Sequence, residues 1–455
     1  MADYQIINPY NGEVIEAYDF HTREQVAEAI DTLVAGRNIQ LATPAFERSN
    51  ILLKLAQLLL ERKEDLARAI TEETGKTISD SRVEIDRAYN TALSSAMEAR
   101  NINGEALDSD AFPPMREKIG VVLWKPLGTV LCITPFNFPI NIAMHKIGPA
   151  FAAGNTILFK PGPQNKRSAE LLVELCYAAG IHKSVLQMLI PNIEATSYAV
   201  KHPQIQAINF TGGTAAANAI ADNAGYKKML FELGGNDPLI VMPDADLNAA
   251  VSAIINQRFA TAGQRCTAAK RLFVHSDVFD AFAEKLVTAT AKLKVGDPAE
   301  DNTFIGPLIH TAAADEVEAR IESAVNAGAN VLFGHRREGN ILWPTILSNV
   351  PDDAELVAEE TFGPVVPLRK FDDESELISL INSSPFGLQA GVFTQNLALA
   401  KRLYNQLDVG LLAVNDGPGF RAEHFPFGGV KESGVGREGV RYAIREMSYQ
   451  KTLVI

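Results

Sequence analysis

Thr129-Val-Leu-Cys-Ile-Thr-Pro-Phe-Asn-Phe-Pro-Ile140 opens with five consecutive apolar or β-branched residues and then breaks into a turn restrained by two prolines and two phenylalanines. A short run of this kind, bounded by turn residues, reads as a strand buried on both faces. Four more short runs follow at 156–159, 185–190, 206–210 and 228–232, with a helical segment between each pair. The alternation predicts an α/β fold with a doubly wound parallel sheet, an architecture that binds ligands at the carboxyl ends of its strands.

Working outward, Thr22 and Gln25 have the spacing of a capping box, and Val26, Ile30, Leu33 and Val34 continue at helical period. Two further helices are expected over 50–73 and 80–102, stopped by Gly75 and Gly104. Residues 117–133 alternate branched apolar side chains around a Pro126-Leu-Gly128 turn and predict a hairpin or extended arm. Downstream, the runs 239–242, 272–275, 331–333, 392–394 and 411–415 predict a second α/β unit, and 447–455 another strand, free to pair with the arm.

The chain has 455 residues, with 42 Lys and Arg against 55 Asp and Glu, a net charge of −13. An acidic balance without a basic block gives no footprint for nucleic acid or anionic lipid. No apolar stretch approaches the roughly 18 uncharged residues of a membrane span, and the start, Met1-Ala-Asp-Tyr-Gln, has no leader pattern. A cytoplasmic protein is expected. Cys132, Cys176 and Cys266 are too few and too scattered for a disulfide framework or a metal site. Each is expected to be a free thiol.

Cys266 lies in a small-residue stretch beside Gly263 and Arg265, and a neighbouring guanidinium favours the thiolate. The local context leaves a buried structural thiol open as the alternative. Cys176 sits among Leu171, Leu172 and Leu175 on a helix and Cys132 in an apolar strand, both core positions. Glu232 ends the strand 228–232, where burial would raise its pKa toward that of a general base; a solvated loop acid is the alternative. Asn137, in the restrained turn, could supply an oxyanion donor or simply cap the following helix. Phe210-Thr-Gly-Gly-Thr could turn backbone amides toward a pyrophosphate, and Lys160 could reach a ribose or phosphate.

Seven motifs occur together: Thr134-Pro-Phe-Asn-Phe-Pro, Gly154-Asn-Thr with Lys160-Pro161, Phe210-Thr-Gly-Gly-Thr, Phe231-Glu-Leu-Gly-Gly, Gly263-Gln-Arg-Cys, Glu359-Glu-Thr-Phe-Gly-Pro and Pro426-Phe-Gly-Gly-Val-Lys-Glu-Ser-Gly. In this order the chain resembles the aldehyde dehydrogenase superfamily from about Tyr4 to Ile455. The resemblance implies a Rossmann-like NAD(P)-binding domain over 1–112 and 132–233, a catalytic domain over 234–430 and a β oligomerisation arm over 113–131 and 440–455 of a homodimer or homotetramer. It implies Cys266 as nucleophile, Glu232 as base and Asn137 as oxyanion donor. Thr134, Pro135, Lys160, Pro163, Gly212, Gly213, Leu233, Glu360 and Phe362 would line the cofactor, and no metal is implied.

Pro163 stands where many NAD-preferring members carry a Glu that repels a 2′-phosphate. With Lys166 and Arg167 nearby, NAD or NADP is expected, NADP slightly favoured. Ala217 and His145 replace a Gly and a Trp common in the family. Arg265, Arg421 and Phe138 are expected to face the substrate, the two guanidiniums holding a distal anion. The motifs around Cys266 look most like phosphonoacetaldehyde dehydrogenases, although those tend to have His in place of Phe138. The ending is also similar to nonphosphorylating glyceraldehyde-3-phosphate and lactaldehyde dehydrogenases. A short aldehyde with an anionic tail is therefore expected, with a neutral hydroxyaldehyde or a CoA-acylating reaction as alternatives.

Overall fold

The structure, a computed structural model, describes residues 2–110 and 118–455. The quoted stretch becomes the strand Thr129–Ile133, all five residues buried, in the middle of a six-stranded sheet. Its parallel neighbours are Thr156–Lys160 and then Leu186–Met188 on one side, and Ile205–Thr211 and then Lys228–Glu232 on the other. The chain thus reverses its winding between Thr129–Ile133 and Ile205–Thr211, and a crevice is expected at their carboxyl ends. An antiparallel edge strand, Gly434–Val435, arrives from near the C-terminus and pairs with Phe231 and Glu232.

The second sheet has seven strands in the order Asn330–Phe333, Thr345–Ser348, Val365–Phe371, Arg271–His275, Pro238–Val241, Gln389–Phe393 and Leu411–Val414, parallel except at the first. Each sheet has its own buried apolar cores, as two covered parallel sheets require. Ile119–Pro126 pairs antiparallel with Ser448–Val454 on one side and Glu105–Asp108 on the other, so the two expected β segments do pair.

Some boundaries differ from expectation. The helix expected over 50–73 is two helices, Ala45–Glu61 and Lys63–Thr74, because Arg62 leaves the helical region at φ −106°, ψ 20°. The boundary drawn at residue 131 cuts the strand Thr129–Ile133, whose hydrogen bonds all belong to the six-stranded sheet, and Glu105–Asp108 joins the arm instead. The start of the 117–133 segment and the boundary at 112 and 113 fall outside the described residues. The capping box at Thr22 forms as read, with both reciprocal bonds to Gln25.

Candidate active site

The segment carrying Cys266 enters through an unusual turn. The helix Leu247–Ile254 runs into a π-helical turn, Ile255–Phe259, and then Thr261 and Ala262 adopt left-handed angles, φ 56° and 51°, before Gly263 at φ 73°. Non-glycine residues in this region store strain of about 1–3 kcal/mol each. Gly263 is required twice over, because a Cβ there would lie 2.2 Å from the Gly363 carbonyl oxygen. The turn is held by Asp80 Oδ2, which accepts from the Thr261 N–H at 2.9 Å and its hydroxyl at 3.1 Å. Gln264 Oε1 then accepts from the Ile309 N–H at 3.0 Å, fixing the residues just before Cys266.

Asn137 is buried and donates through Nδ2 to the Gln264 carbonyl at 2.9 Å, which brings it to the Cys266 loop and leaves one amide hydrogen free. It does not cap the helix Pro139–Ala153. Glu84 does, accepting from the N–H groups of Ile140 and Asn141 at 2.8 and 3.1 Å. Glu84 is in turn paired with buried Lys76 at 2.5 Å, whose ammonium sits 3.6 Å from the centre of the Phe138 ring.

Glu232 is buried at the end of its strand, and its Oε1 has no hydrogen-bond partner among the described residues. Burial first, then the nearby Glu438 carboxylate, pushes its pKa to about 7, and the Cys266 thiol is a hydrogen-bonding neighbour that opposes the rise. Glu438 itself stays ionised. Against the burial that would raise it, Lys146 and Arg421 hold it at about 2, bonded at 2.9 and 2.7 Å. Lys146 also donates to Asn209 Oδ1 at 2.7 Å.

The pKa of the Cys266 thiol is raised well above its ordinary value, first by burial and then by Glu232. The cations that pull this thiol down most are Lys270 and Arg421. Arg265 acts on it as well. Its guanidinium lies 5.8 Å from the Phe138 ring, donates at 3.3 Å to the Asn256 carbonyl, forms no ion pair among the described residues and leaves Nε unpartnered. Burial, then the like charge of Arg87, lowers its pKa. Arg421 is not a free clamp either, being bonded to Glu438 and stacked 3.8 Å from the Phe427 ring, though its Nε too lacks a partner. Cys132 and Cys176 are buried, which raises each thiol to about 12, as fits core positions.

The expected cofactor residues collect along the first sheet's carboxyl edge. A cavity of about 1000 Å³ is lined by Ile133, Lys160, Pro163, Phe210, Ala216 and Ile220, among others. Gly212 and Gly213 lie between the strand Ile205–Thr211 and the helix Thr214–Ala224. Thr134 donates its N–H to the Lys160 carbonyl at 3.1 Å, while its buried hydroxyl has no partner. Pro135 follows it, and Leu233 is buried beyond Glu232. In the segment before the strand Val365–Phe371, Glu360 Oε1 accepts from the Gly235 N–H at 3.1 Å and from Lys270 at 3.0 Å, and Phe362 meets Phe136 edge-on at 6.4 Å. Lys166 and Arg167 do not present free charge, because Lys166 pairs with Glu16 and Glu170, and Arg167 with Glu72.

Several functional candidates were not legible beforehand. Arg87, on the helix Ile78–Ala99, has a buried unpartnered Nη2 close enough to depress Arg265, and its Nε donates to Glu423 at 3.0 Å. Glu423 takes His145 Nε2 on its other oxygen at 2.7 Å. No pattern in the sequence marks Arg87, Glu423 or Lys270.

A strand-end carboxylate near a thiol, an amide donor bonded to the thiol's loop and a cavity at the carboxyl ends of a doubly wound sheet are the parts expected of an oxidoreductase of the nucleotide-cofactor class. The chain belongs to the aldehyde dehydrogenase family, whose model matches residues 2–453. Members of that family are NAD- or NADP-dependent oxidoreductases. The chain is 61% identical over 452 residues to a sulfoacetaldehyde dehydrogenase of Neptuniibacter caesariensis, covering 99% of each. It is 38% identical to a 3-sulfolactaldehyde dehydrogenase of Priestia megaterium, over 99% of this chain and 94% of that one. Among solved structures, the glyceraldehyde-3-phosphate dehydrogenase GapN of Methanocaldococcus jannaschii complexed with NADP superposes with a TM-score of 0.96 at 36% identity, covering 100% of this chain and 99% of that chain.

Proposed function

We propose that this protein oxidises sulfoacetaldehyde to sulfoacetate with NAD or NADP. The observation that carries the choice of an anionic substrate is Arg265, a partly exposed guanidinium beside Cys266 that makes no ion pair among the described residues, keeps a buried Nε without a partner and is acted on by the like charge of Arg87 more than by the Asp80 carboxylate. Of the two neighbouring guanidiniums only Arg87 has a carboxylate bonded to it, Glu423, which leaves the pair suited to a further anion. A sulfonate offers three acceptor oxygens to the unpartnered nitrogens of Arg265, Arg87 and Arg421. The name of the 61% identical relative supports the same substrate.

In the proposed mechanism, Cys266 reacts as the thiolate, its proton lost to solvent, and its sulfur adds to the aldehyde carbon. The free amide hydrogen of Asn137 and the Cys266 N–H hold the resulting oxyanion. NAD(P) held at this site would supply the hydride acceptor, and the Cys266 adduct, once oxidised, is a thioester. Glu232 then takes a proton from water as the water attacks the thioester, releasing the acid and the thiol. Thr134, Pro135, Lys160, Pro163, Gly212, Gly213, Leu233, Glu360 and Phe362 would hold the cofactor, for which the cavity, the unpartnered Thr134 hydroxyl and the Glu360 carboxylate provide volume and polar partners.

We assign residues 1–104 and 129–233 to the cofactor domain and 234–430 to the catalytic domain, with Glu105–Asp108 in the arm. The arm sheet exposes Ile119, Leu123 and Leu453 on one face, suited to a second copy of the chain in a dimer or tetramer. No described helix is long and apolar enough to cross a membrane, which fits a cytoplasmic site of action.

The test compares sulfoacetaldehyde with propanal, each with NAD and NADP, following nicotinamide absorbance in wild type and Arg265→Ala. Sulfoacetaldehyde should be preferred, and the substitution should cut its kcat/KM by about 10–100-fold, the worth of a hydrogen bond to a charged group, while changing propanal little. Equal effects on both substrates would sink the anion reading, and stimulation by CoA would overturn hydrolysis.

A further inference from the structure

We infer that Lys270 is a positioning residue that sets the nucleophile and the cofactor-anchoring carboxylate together, one ammonium bonding both the Cys266 carbonyl and Glu360; the cofactor half rests on the assignment of Glu360 made above. Lys270 donates to the Cys266 carbonyl at 2.5 Å and to Glu360 Oε1 at 3.0 Å, and it is almost fully buried, with 1% of its side chain exposed. The first bond closes a loop from Cys266 to Lys270 and fixes the peptide that leaves the nucleophile. The second fixes the Glu360 carboxylate. Both are referred to a rigid base, because the Lys270 N–H is itself bonded to the Asp237 carbonyl at 2.9 Å, and Arg271–His275, the strand that begins next, lies at the centre of the seven-stranded sheet.

Charge points the same way. The groups that act on the Cys266 thiol are Glu232 and Glu360, which raise its pKa, and Lys270 and Arg421, which lower it, with Arg265 adjacent in the chain. Arg421 is occupied by Glu438. Lys270 faces Glu360 and the Asp237 carboxyl, whose pKa is raised to about 8, first by burial and against the pull of Lys270, and whose Oδ2 is unpartnered. The Phe362 ring lies 5.7 Å from the ammonium. A neutral side chain at 270 would therefore loosen the Cys266 loop, remove the main cation near the thiol and leave Glu360 without its counter-charge.

The experiment uses the full-length enzyme without cofactor. Site-resolved mass spectrometry follows alkylation of Cys266 by iodoacetamide as a function of pH, and calorimetry gives the Kd for NADP, in wild type, Lys270→Met, Glu360→Gln and the double variant. Lys270→Met should slow alkylation at pH 7 at least fivefold, move its midpoint to higher pH and raise the Kd at least fivefold. Glu360→Gln should weaken NADP without slowing alkylation, and the double variant should bind no worse than the weaker single one, as expected for residues acting through each other. An unchanged alkylation profile in Lys270→Met overturns the nucleophile half. A Kd within twofold of wild type in Lys270→Met, where Glu360→Gln does weaken binding, overturns the cofactor half. If Glu360→Gln also binds normally, the assignment of Glu360 is what fails, and alkylation still decides the role of Lys270. Should Lys270→Met not fold, Lys270→Gln, which keeps a donor but no charge, reads the same two quantities.

Discussion

Replacing Glu232 by Gln separates the two halves of the reaction. With its pKa pushed to about 7 by burial and by Glu438, the carboxyl is about half ionised at neutral pH. It is roughly a tenth ionised one unit lower and about a hundredth two units lower, whereas an ordinary carboxyl near 4.3 would still be mostly charged. Hydrolysis of the thioester needs the ionised form, so kcat should fall about tenfold per pH unit below 7. Glu232→Gln removes the base at every pH, a loss of about 10²–10⁴ in rate, or roughly 3–5 kcal/mol in the barrier. Rapid mixing of enzyme, cofactor and aldehyde should then show one equivalent of reduced nicotinamide per site followed by a stall, with the acyl group found on Cys266 by mass spectrometry. Glu438→Gln supplies the sign check. It removes a neighbouring negative charge and leaves Lys146 and Arg421 to act on Glu232 alone, so the acid limb should move to lower pH. Turnover of Glu232→Gln within threefold of wild type, or a rate flat down to pH 5, would refute the reasoning.

Other consequences are equally direct. Asn137→Ala should lower kcat about 10²–10³-fold with little change in KM, as removal of an oxyanion donor does, and a KM effect alone would reassign the residue. Asp80→Ala leaves the Thr261 N–H and hydroxyl without their acceptor. It should cost about 1–3 kcal/mol in urea unfolding together with a fall in kcat, and unchanged activity would show that the turn holds without it. Truncation after Met447 deletes the strand Ser448–Val454 and should convert the assembly to smaller species by size-exclusion chromatography with light scattering; an unchanged mass would place the interface elsewhere.

What the sequence revealed follows how local each signal is. The strand Thr129–Ile133, the turn after it, the strand ending at Glu232 and the small-residue stretch before Cys266 are contiguous patterns. They were legible because burial on both faces and tight turns constrain neighbouring residues. The pairing of residues 119–126 with the C-terminal strand was readable as a possibility, since both segments alternate and neither had another partner. Lys146 and Glu438 are 292 residues apart, and only the fold brings them together. Arg87 and Lys270 look like any other charged residue until their burial is known. Adjacency to Cys266 suggested that Arg265 acts on the thiol, and it does, but its position against the Phe138 ring shows only in the fold.

The antiparallel edge strand Gly434–Val435 also bears on how the enzyme is made. Glu232 lies on a strand formed halfway through synthesis, yet the partner of that strand and the carboxylate that tunes its pKa come from residues 434–438. The proposed base therefore acquires its strand partner and its neighbouring charge only when residues 434–438 have folded back onto it. A chain cut before Gly434 would keep the Cys266 thiol but lose both the edge strand and the carboxylate that set the pKa of Glu232.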